Sequence, residues 1–286
     1  MKLSVKSASK SHKVLLFGPP KCGKTELAGR LAERFNLKWI DMESGVDTLL
    51  KLPEEWKEKI EVISLPDNRS NPIGIETSLK LIKGGKLDIC ESHGRVGCAI
   101  CRKEEASFIT DLDMSVADPD TIWVFDSLTQ LTNSAISQIT KNCSDDYKMQ
   151  FDDWGNLGKL MDIFLSHVQT SKANIVCISH ESEVELEDGS IKVVPTAGTR
   201  NFSRNTAKYF DEVYYLTVEN GKHRVVSSTT ARPKVLTGSR HGIKTELQDS
   251  PSLIPIFTGE IKAENVMTAN SPGSNALANL LKGVKK

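Results

Sequence analysis

The sequence lacks long hydrophobic runs. No stretch approaches the ~18 consecutive apolar residues that a membrane-spanning helix requires, so no transmembrane helix is expected. The first residues, Met1 to Lys13, are basic and polar and lack the apolar centre of a secretory leader, which points to the cytoplasm. Net charge is missing too, because 37 Lys and Arg balance 37 Asp and Glu. Bulk charge therefore announces no nucleic-acid binding, and any such binding must come from a local patch. Internal repeats are absent, which argues against a solenoid. In a reducing compartment the six cysteines are not a disulfide frame.

What remains is a chain of 286 residues, 38% apolar and 26% charged. That suits one large α/β domain with an insertion, or two small domains. Short apolar runs at Lys13–Phe17, Leu37–Ile40, Ile60–Leu65, Thr121–Phe125 and Asn174–Ser179 read as buried strands. Amphipathic stretches at Lys24–Phe35, Ile75–Lys83, Ser127–Lys141 and Trp154–Thr170 read as helices between them. The alternation predicts a mostly parallel sheet flanked by helices. After His180 two hairpins are expected. One turns at Glu187–Ser190, the other at Asn220-Gly221 between Val213–Val218 and His223–Ser227. The expected organisation is an N-terminal extension 1–11, a core 12–258 and a polar tail 259–286 with a turn of helix at Ala276–Leu281.

One motif dominates. Gly18-Pro19-Pro20-Lys21-Cys22-Gly23-Lys24-Thr25 fits GxxxxGK[ST] in full, between a strand and a helix. Such a loop turns its backbone N–H groups onto phosphates, and the helix that follows adds its N-terminus to the same anion. Gly23 allows close approach. Lys24 is expected at the β- and γ-phosphates of ATP, and the Thr25 hydroxyl at Mg²⁺. Cys22 reads as a small residue that the loop tolerates. Asp126 ends an apolar strand where such a sheet opens onto its ligand, and is expected to hold Mg²⁺ through water.

Hydrolysis also needs a group that orients and activates water. Glu43, just past the strand ending at Ile40, is the candidate base, with Asp41 as its rival. His180, following the strand that ends at Ser179, is expected to sense the γ-phosphate and pass its state to residues 181–205.

A second motif stands apart. Cys90, His93, Cys98 and Cys101 have C-x2-H-x4-C-x2-C spacing, with Gly94 and Gly97 between them. Three thiolates and one imidazole complete a closed tetrahedral Zn²⁺ site, structural rather than catalytic. The metal would supply the folding energy of an insertion at about 86–106.

Taken together, GPPKCGKT, IDMESG, TIWVFDS, IVCISHE and KYFDEVYYL resemble, in order and spacing, the phage-encoded RecA-like single-strand annealing ATPases. The resemblance covers about residues 12–245 and extends to the Cys-His-Cys-Cys insertion. It implies a RecA-like P-loop core with C-terminal hairpin elements, Mg-dependent ATP hydrolysis and work on single-stranded DNA in recombination. It supports Glu43 as the catalytic carboxylate and places His180 where that family senses phosphate. It also implies a homo-oligomer, ring or filament, in which a neighbour's cation reaches the phosphates. Arg200, Arg204, Arg232 and Lys234 are the candidates. A single-strand-binding protein is a further expected partner. Segments 142–153 and 182–208 are the candidate DNA contacts, the second through Arg200, Arg204, Lys208, Asn201 and Asn205 with Phe202 stacking on a base. A replicative helicase or its loader, and an ATP-gated binding module with little turnover, are the competing readings.

Overall fold

The computed structural model describes residues 11–227, 234–240, 246–247 and 252–260, the pair 246–247 in backbone alone. Residues 1–10 of the expected extension, the candidate Arg232 and the tail from 261, including the helical turn at Ala276–Leu281, lie outside them.

Strand β1 (Lys13–Gly18) delivers the glycine-rich loop to helix α1 (Lys24–Gly29). Next come β2 (Asn36–Asp41), β3 (Ile60–Ser64) and α2 (Ile73–Lys83). A two-stranded antiparallel insertion follows, β4 (Leu87–Cys90) with β5 (Phe108–Leu112). Beyond it lie β6 (Thr121–Asp126), α3 (Leu128–Ile139) and α4 (Phe151–Thr170). The chain then forms β7 (Asn174–Glu185), β8 (Ile191–Pro195), α5 (Arg200–Asn205), β9 (Glu212–Glu219) and β10 (Lys222–Val226).

In the main sheet these strands run β10-β9-β1-β7-β6-β2-β3. Every neighbouring pair from β9 to β3 is parallel, and β10 adds antiparallel beside β9. Both faces are buried, which explains continuous apolar strands without polar alternation. Leu15 and Phe17 point into the core shared with α2, α3 and α4, while Val14 and Leu16 point into the core beneath α1. Phe125 and Phe164 meet edge to face at 5.2 Å across the first core. Truncating such a buried ring to alanine typically costs about 3–5 kcal/mol.

Two elements depart from the sequence reading. The helix expected over Lys24–Phe35 is α-helical to Gly29, then tightens into a 3₁₀ turn at Arg30–Glu33. Glycine holds a helix weakly, and Gly29 is needed there: a Cβ would lie 2.5 Å from Leu49 Cδ2. The strand expected to stop at Ser179 continues to Glu185, so His180 lies inside β7. Residues 181–185 gain a new partner, pairing antiparallel with β8. The expected Asp188-Gly189 turn closes that hairpin, with Gly189 at φ +75°.

Candidate active site and metal centre

The register of the parallel strands assembles the site. Gly18 pairs with His180, Asp126 with Ile178, and Asp41 with Asp126. The ends of β1, β6 and β2 therefore lie within two residues of one level at one sheet edge, beside the His180 position of β7. Because β7 sits between β1 and β6, His180 stands between the loop and the Asp126 strand.

The loop needs glycine at two points. A Cβ on Gly18 would come 2.1 Å from the Leu216 carbonyl oxygen, and Gly23 adopts φ +94°. Lys24 is buried, its Nζ donating to the carbonyls of Gly18 at 3.0 Å and Pro19 at 2.8 Å. Burial raises the Cys22 thiol above its ordinary range, which keeps it protonated within the loop.

Thr25 Oγ1 donates to Asp126 Oδ2 at 3.1 Å. Burial, then the charges of Glu43 and Asp41, push the Asp126 carboxyl up to about 7. A hydroxyl and a carboxylate held together in a site that disfavours uncompensated negative charge fit a divalent cation with oxygen ligands.

Glu43 lies beyond β2. Its carboxylate accepts from Ser127 Oγ and stands 3.4 Å from His180 Nε2. Burial opposes its ionisation. Hydrogen bonds from His180 and Ser127, with the charges of His180 and Lys24, outweigh that and hold the carboxyl below its ordinary value. The carboxylate is thus ready to accept a proton. Asp41, the rival, is turned to its own loop, accepting the N–H groups of Glu43 at 3.2 Å and Gly45 at 3.3 Å. His180 is fixed through its backbone N–H, which donates to Thr129 Oγ1 at 2.9 Å. Its Nδ1 is buried with no hydrogen-bond partner among the described residues. Lys24, Thr25, Glu43, Asp126 and His180 line one open cleft of ≈570 Å³.

Sequence reasoning missed Ser127 and His223. Ser127 caps α3 by accepting from Gln130 N–H, and its reach to Glu43 crosses 84 residues of sequence, which no local pattern encodes. His223, at the start of β10, bonds the Cys22 carbonyl oxygen at 2.9 Å.

A family model described as "AAA domain" matches residues 10–241. The chain belongs to the AAA domain family. It is accordingly a P-loop ATPase, with ATP and Mg²⁺ as the ligands the family implies. No curated protein matches it. Among solved structures it is similar to a prototypical ATPase from the type III secretion system of pathogenic bacteria, at 14% identity and TM-score 0.40. The likeness covers 94% of this chain and 64% of that one, so the AAA domain chain spans less than two thirds of that ATPase's length.

In the insertion of this AAA domain protein, the ligand atoms of Cys90, His93, Cys98 and Cys101 all lie within 4.8 Å of one another. His93 Nδ1 is 3.0 Å from Cys101 Sγ and 3.7 Å from Cys98 Sγ. Edges of about 3.3–3.8 Å are what a tetrahedral zinc site with nitrogen and sulfur ligands requires. The backbone N–H of Cys101 and the neighbouring side chains bring the Cys98 thiol down to about 7. Burial, then Cys90 and Cys98, push Cys101 up to about 12. Three sulfurs and one imidazole nitrogen turned to a common point form a donor set that fits a metal. The insertion reaches past about 106, since β5 closes it at Leu112.

The candidate DNA contacts need correction. Phe202 is half-buried, its ring stacked on Tyr209 at 5.9 Å and packed on the core, so it is not free to stack on a base. The Arg204 guanidinium donates to the Glu185 carbonyl and ties α5 to the β7–β8 hairpin. Arg200, Asn201, Asn205 and Lys208 are exposed, and Lys208 lies 4.6 Å over the Tyr209 ring. Lys234 is exposed as well. Segment 142–153 carries exposed Asp145, Asp146 and Asp152, with Phe151 90% exposed and Trp154 beyond it 46% exposed. That surface is aromatic but acidic. Among the described residues no helix is long and apolar enough to cross a membrane.

Proposed function

We propose that this ATPase hydrolyses ATP with Glu43 as general base and couples the cycle to single-stranded DNA in homologous recombination, as phage-encoded RecA-like annealing proteins do. The observation that carries the catalytic part is the Glu43 carboxylate, held ionised by Ser127 and His180 at the mouth of the phosphate loop. The loop N–H groups and Lys24 grip the triphosphate. Thr25 and Asp126 would hold Mg²⁺, which would supply charge neutralisation at the triphosphate. Glu43 orients a water in line with the γ-phosphorus and takes its proton as the P–O bond to ADP breaks. His180 then reports the loss of the γ-phosphate along β7.

The DNA part rests on motif order and on the exposed cations Arg200 and Lys208. The acidity of segment 142–153 supports a contact centred on α5 rather than shared with that segment. We further propose a cytoplasmic homo-oligomer, ring or filament, with Arg200 or Lys234 reaching a neighbour's phosphates, and a single-strand-binding protein as partner. Zinc in the insertion is structural in this reading.

The test is phosphate release with and without single-stranded DNA, repeated for Arg200→Ala with Lys208→Ala. Stimulation by DNA, weakened in the double variant and by added salt, is expected. Unchanged DNA affinity of the double variant at low salt would remove the α5 contact. Unwinding of a forked duplex would move the reading to a helicase. ATP-dependent DNA binding without turnover would make the protein a gated module.

A further inference from the structure

The nucleotide site has a wall that neither the loop motif nor the carboxylates account for. It is built by the β9–β10 hairpin, which lies next to β1 in the sheet. His223 lies at the contact. Its Nδ1 is 2.9 Å from the Cys22 carbonyl oxygen. Its ring also faces Gly23, where a Cβ would lie 3.1 Å from Nδ1. Glycine at the sixth position of the loop thus makes room for this imidazole as well as for phosphate.

His223 also lies where two spaces meet. The phosphate cleft runs along one side of it, lined by Lys24, Thr25 and Asp126. On the other side is a smaller chamber of ≈240 Å³ between α1 and the hairpin, lined by Leu27, Leu216 and Val225 together with the charged Glu26, Arg30, Lys222 and Arg224. Gly23, Glu26 and His223 border both spaces. Aliphatic side chains beside polar and charged ones suit a heterocycle that carries its own hydrogen-bonding groups. The carbonyl oxygen can only accept, so the bond to Cys22 fixes the proton on Nδ1. When the ring is neutral it then presents the Nε2 lone pair, and among the described residues no group bonds that nitrogen.

We propose that His223 is a positioning and specificity residue of the nucleotide site: it ties the hairpin to the phosphate loop through the Cys22 carbonyl, and its Nε2 accepts a hydrogen bond from a hydroxyl or amino group of the nucleoside seated in the adjoining chamber. This rests on the reading of the cleft as the triphosphate site. The two nitrogens have separable duties. Asparagine places an amide donor near the Nδ1 position and has nothing at Nε2. Alanine removes both.

The experiment measures equilibrium binding of a fluorescent ATP analogue, and KM and kcat for ATP and GTP, with wild type, His223→Ala, His223→Asn and Lys24→Ala. A thermal melt of each variant checks folding. His223→Ala is expected to weaken nucleotide binding about five- to tenfold for each of the two bonds lost, with kcat nearly unchanged. His223→Asn should recover the loop share of that loss and still discriminate poorly between ATP and GTP. Wild-type affinity and base preference in His223→Ala, with Lys24→Ala inactive, would overturn the role of His223 and leave the triphosphate site standing. Equal weakness of His223→Asn and His223→Ala, both folded, would overturn the tie through Cys22. Wild-type binding in Lys24→Ala would instead overturn the site on which the proposal rests.

Discussion

Asp126→Asn is expected to make the nucleotide-free protein more stable at pH 8, although it disables the site. The wild-type carboxyl is buried beside Glu43 and Asp41, and its pKa rises from 3.8 to about 7. The folded state thus prefers the protonated form. The stability Asp126 contributes is complete below about pH 4 and is lost as pH rises to about 7. A gap of about three pKa units is worth about 4 kcal/mol above pH 7. That is a ceiling, because the asparagine amide disturbs the bond from Thr25 and the wild-type site can relax. About 1–3 kcal/mol is the working expectation, or several degrees in melting temperature. Equilibrium denaturation at intervals from pH 4 to 8 measures it. The advantage of the variant should open between about pH 4 and 7 and stay level above. Mg²⁺ without nucleotide should narrow it by stabilising the wild type alone. A variant less stable than wild type at pH 8, or a difference that ignores pH, would refute the view of Asp126 as an electrostatically stressed carboxylate awaiting a cation.

Glu43→Gln should keep nucleotide affinity and lose turnover by about 100-fold or more, read as phosphate release beside equilibrium binding; wild-type turnover would exclude it as the base. Metal analysis of protein purified without chelator should find near one zinc per chain, and Cys98→Ser should lose it. Absence of metal after gentle purification would count against the site.

The parallel sheet was legible because its strands are short apolar runs that end in chemistry: Gly18, Asp41, Asp126. A buried parallel strand has no polar face to obscure its ends. The phosphate loop was legible because its glycines and lysine act within eight consecutive residues. The Cys-His cluster was legible for the same reason. What was hidden depends on contacts between distant segments. The apolar run stops at Ser179, yet pairing with β8 carries the strand on to Glu185. Phe202 was read as a free aromatic between arginines, but Tyr209 and the α4 side of the core claim its ring. Arg204 looked like a cation for phosphate, and it serves the Glu185 carbonyl instead.

Those departures bear on how a nucleotide signal would leave the site. If His180 sat in a loop after the strand, loss of the γ-phosphate would free a local segment and little else. Within β7 it is held on both sides: by Gly18 across a register pair, and by Thr129, whose Oγ1 accepts its backbone N–H at 2.9 Å. Its carbonyl accepts from Thr196 N–H at 2.8 Å, so it is also bonded to the end of the β7–β8 hairpin. The far end of β7 receives the Arg204 guanidinium from α5. A change in the Glu43–His180 pair therefore has a short hydrogen-bonded route to the helix carrying Arg200. Coupling of this kind requires an element with two arrangements, not a chain of contacts alone. The pair supplies the candidate, because a water drawn to the Glu43 oxygen that faces His180 competes with the imidazole for that oxygen. Engagement of water should release the imidazole, and release should loosen the hairpin that α5 grips.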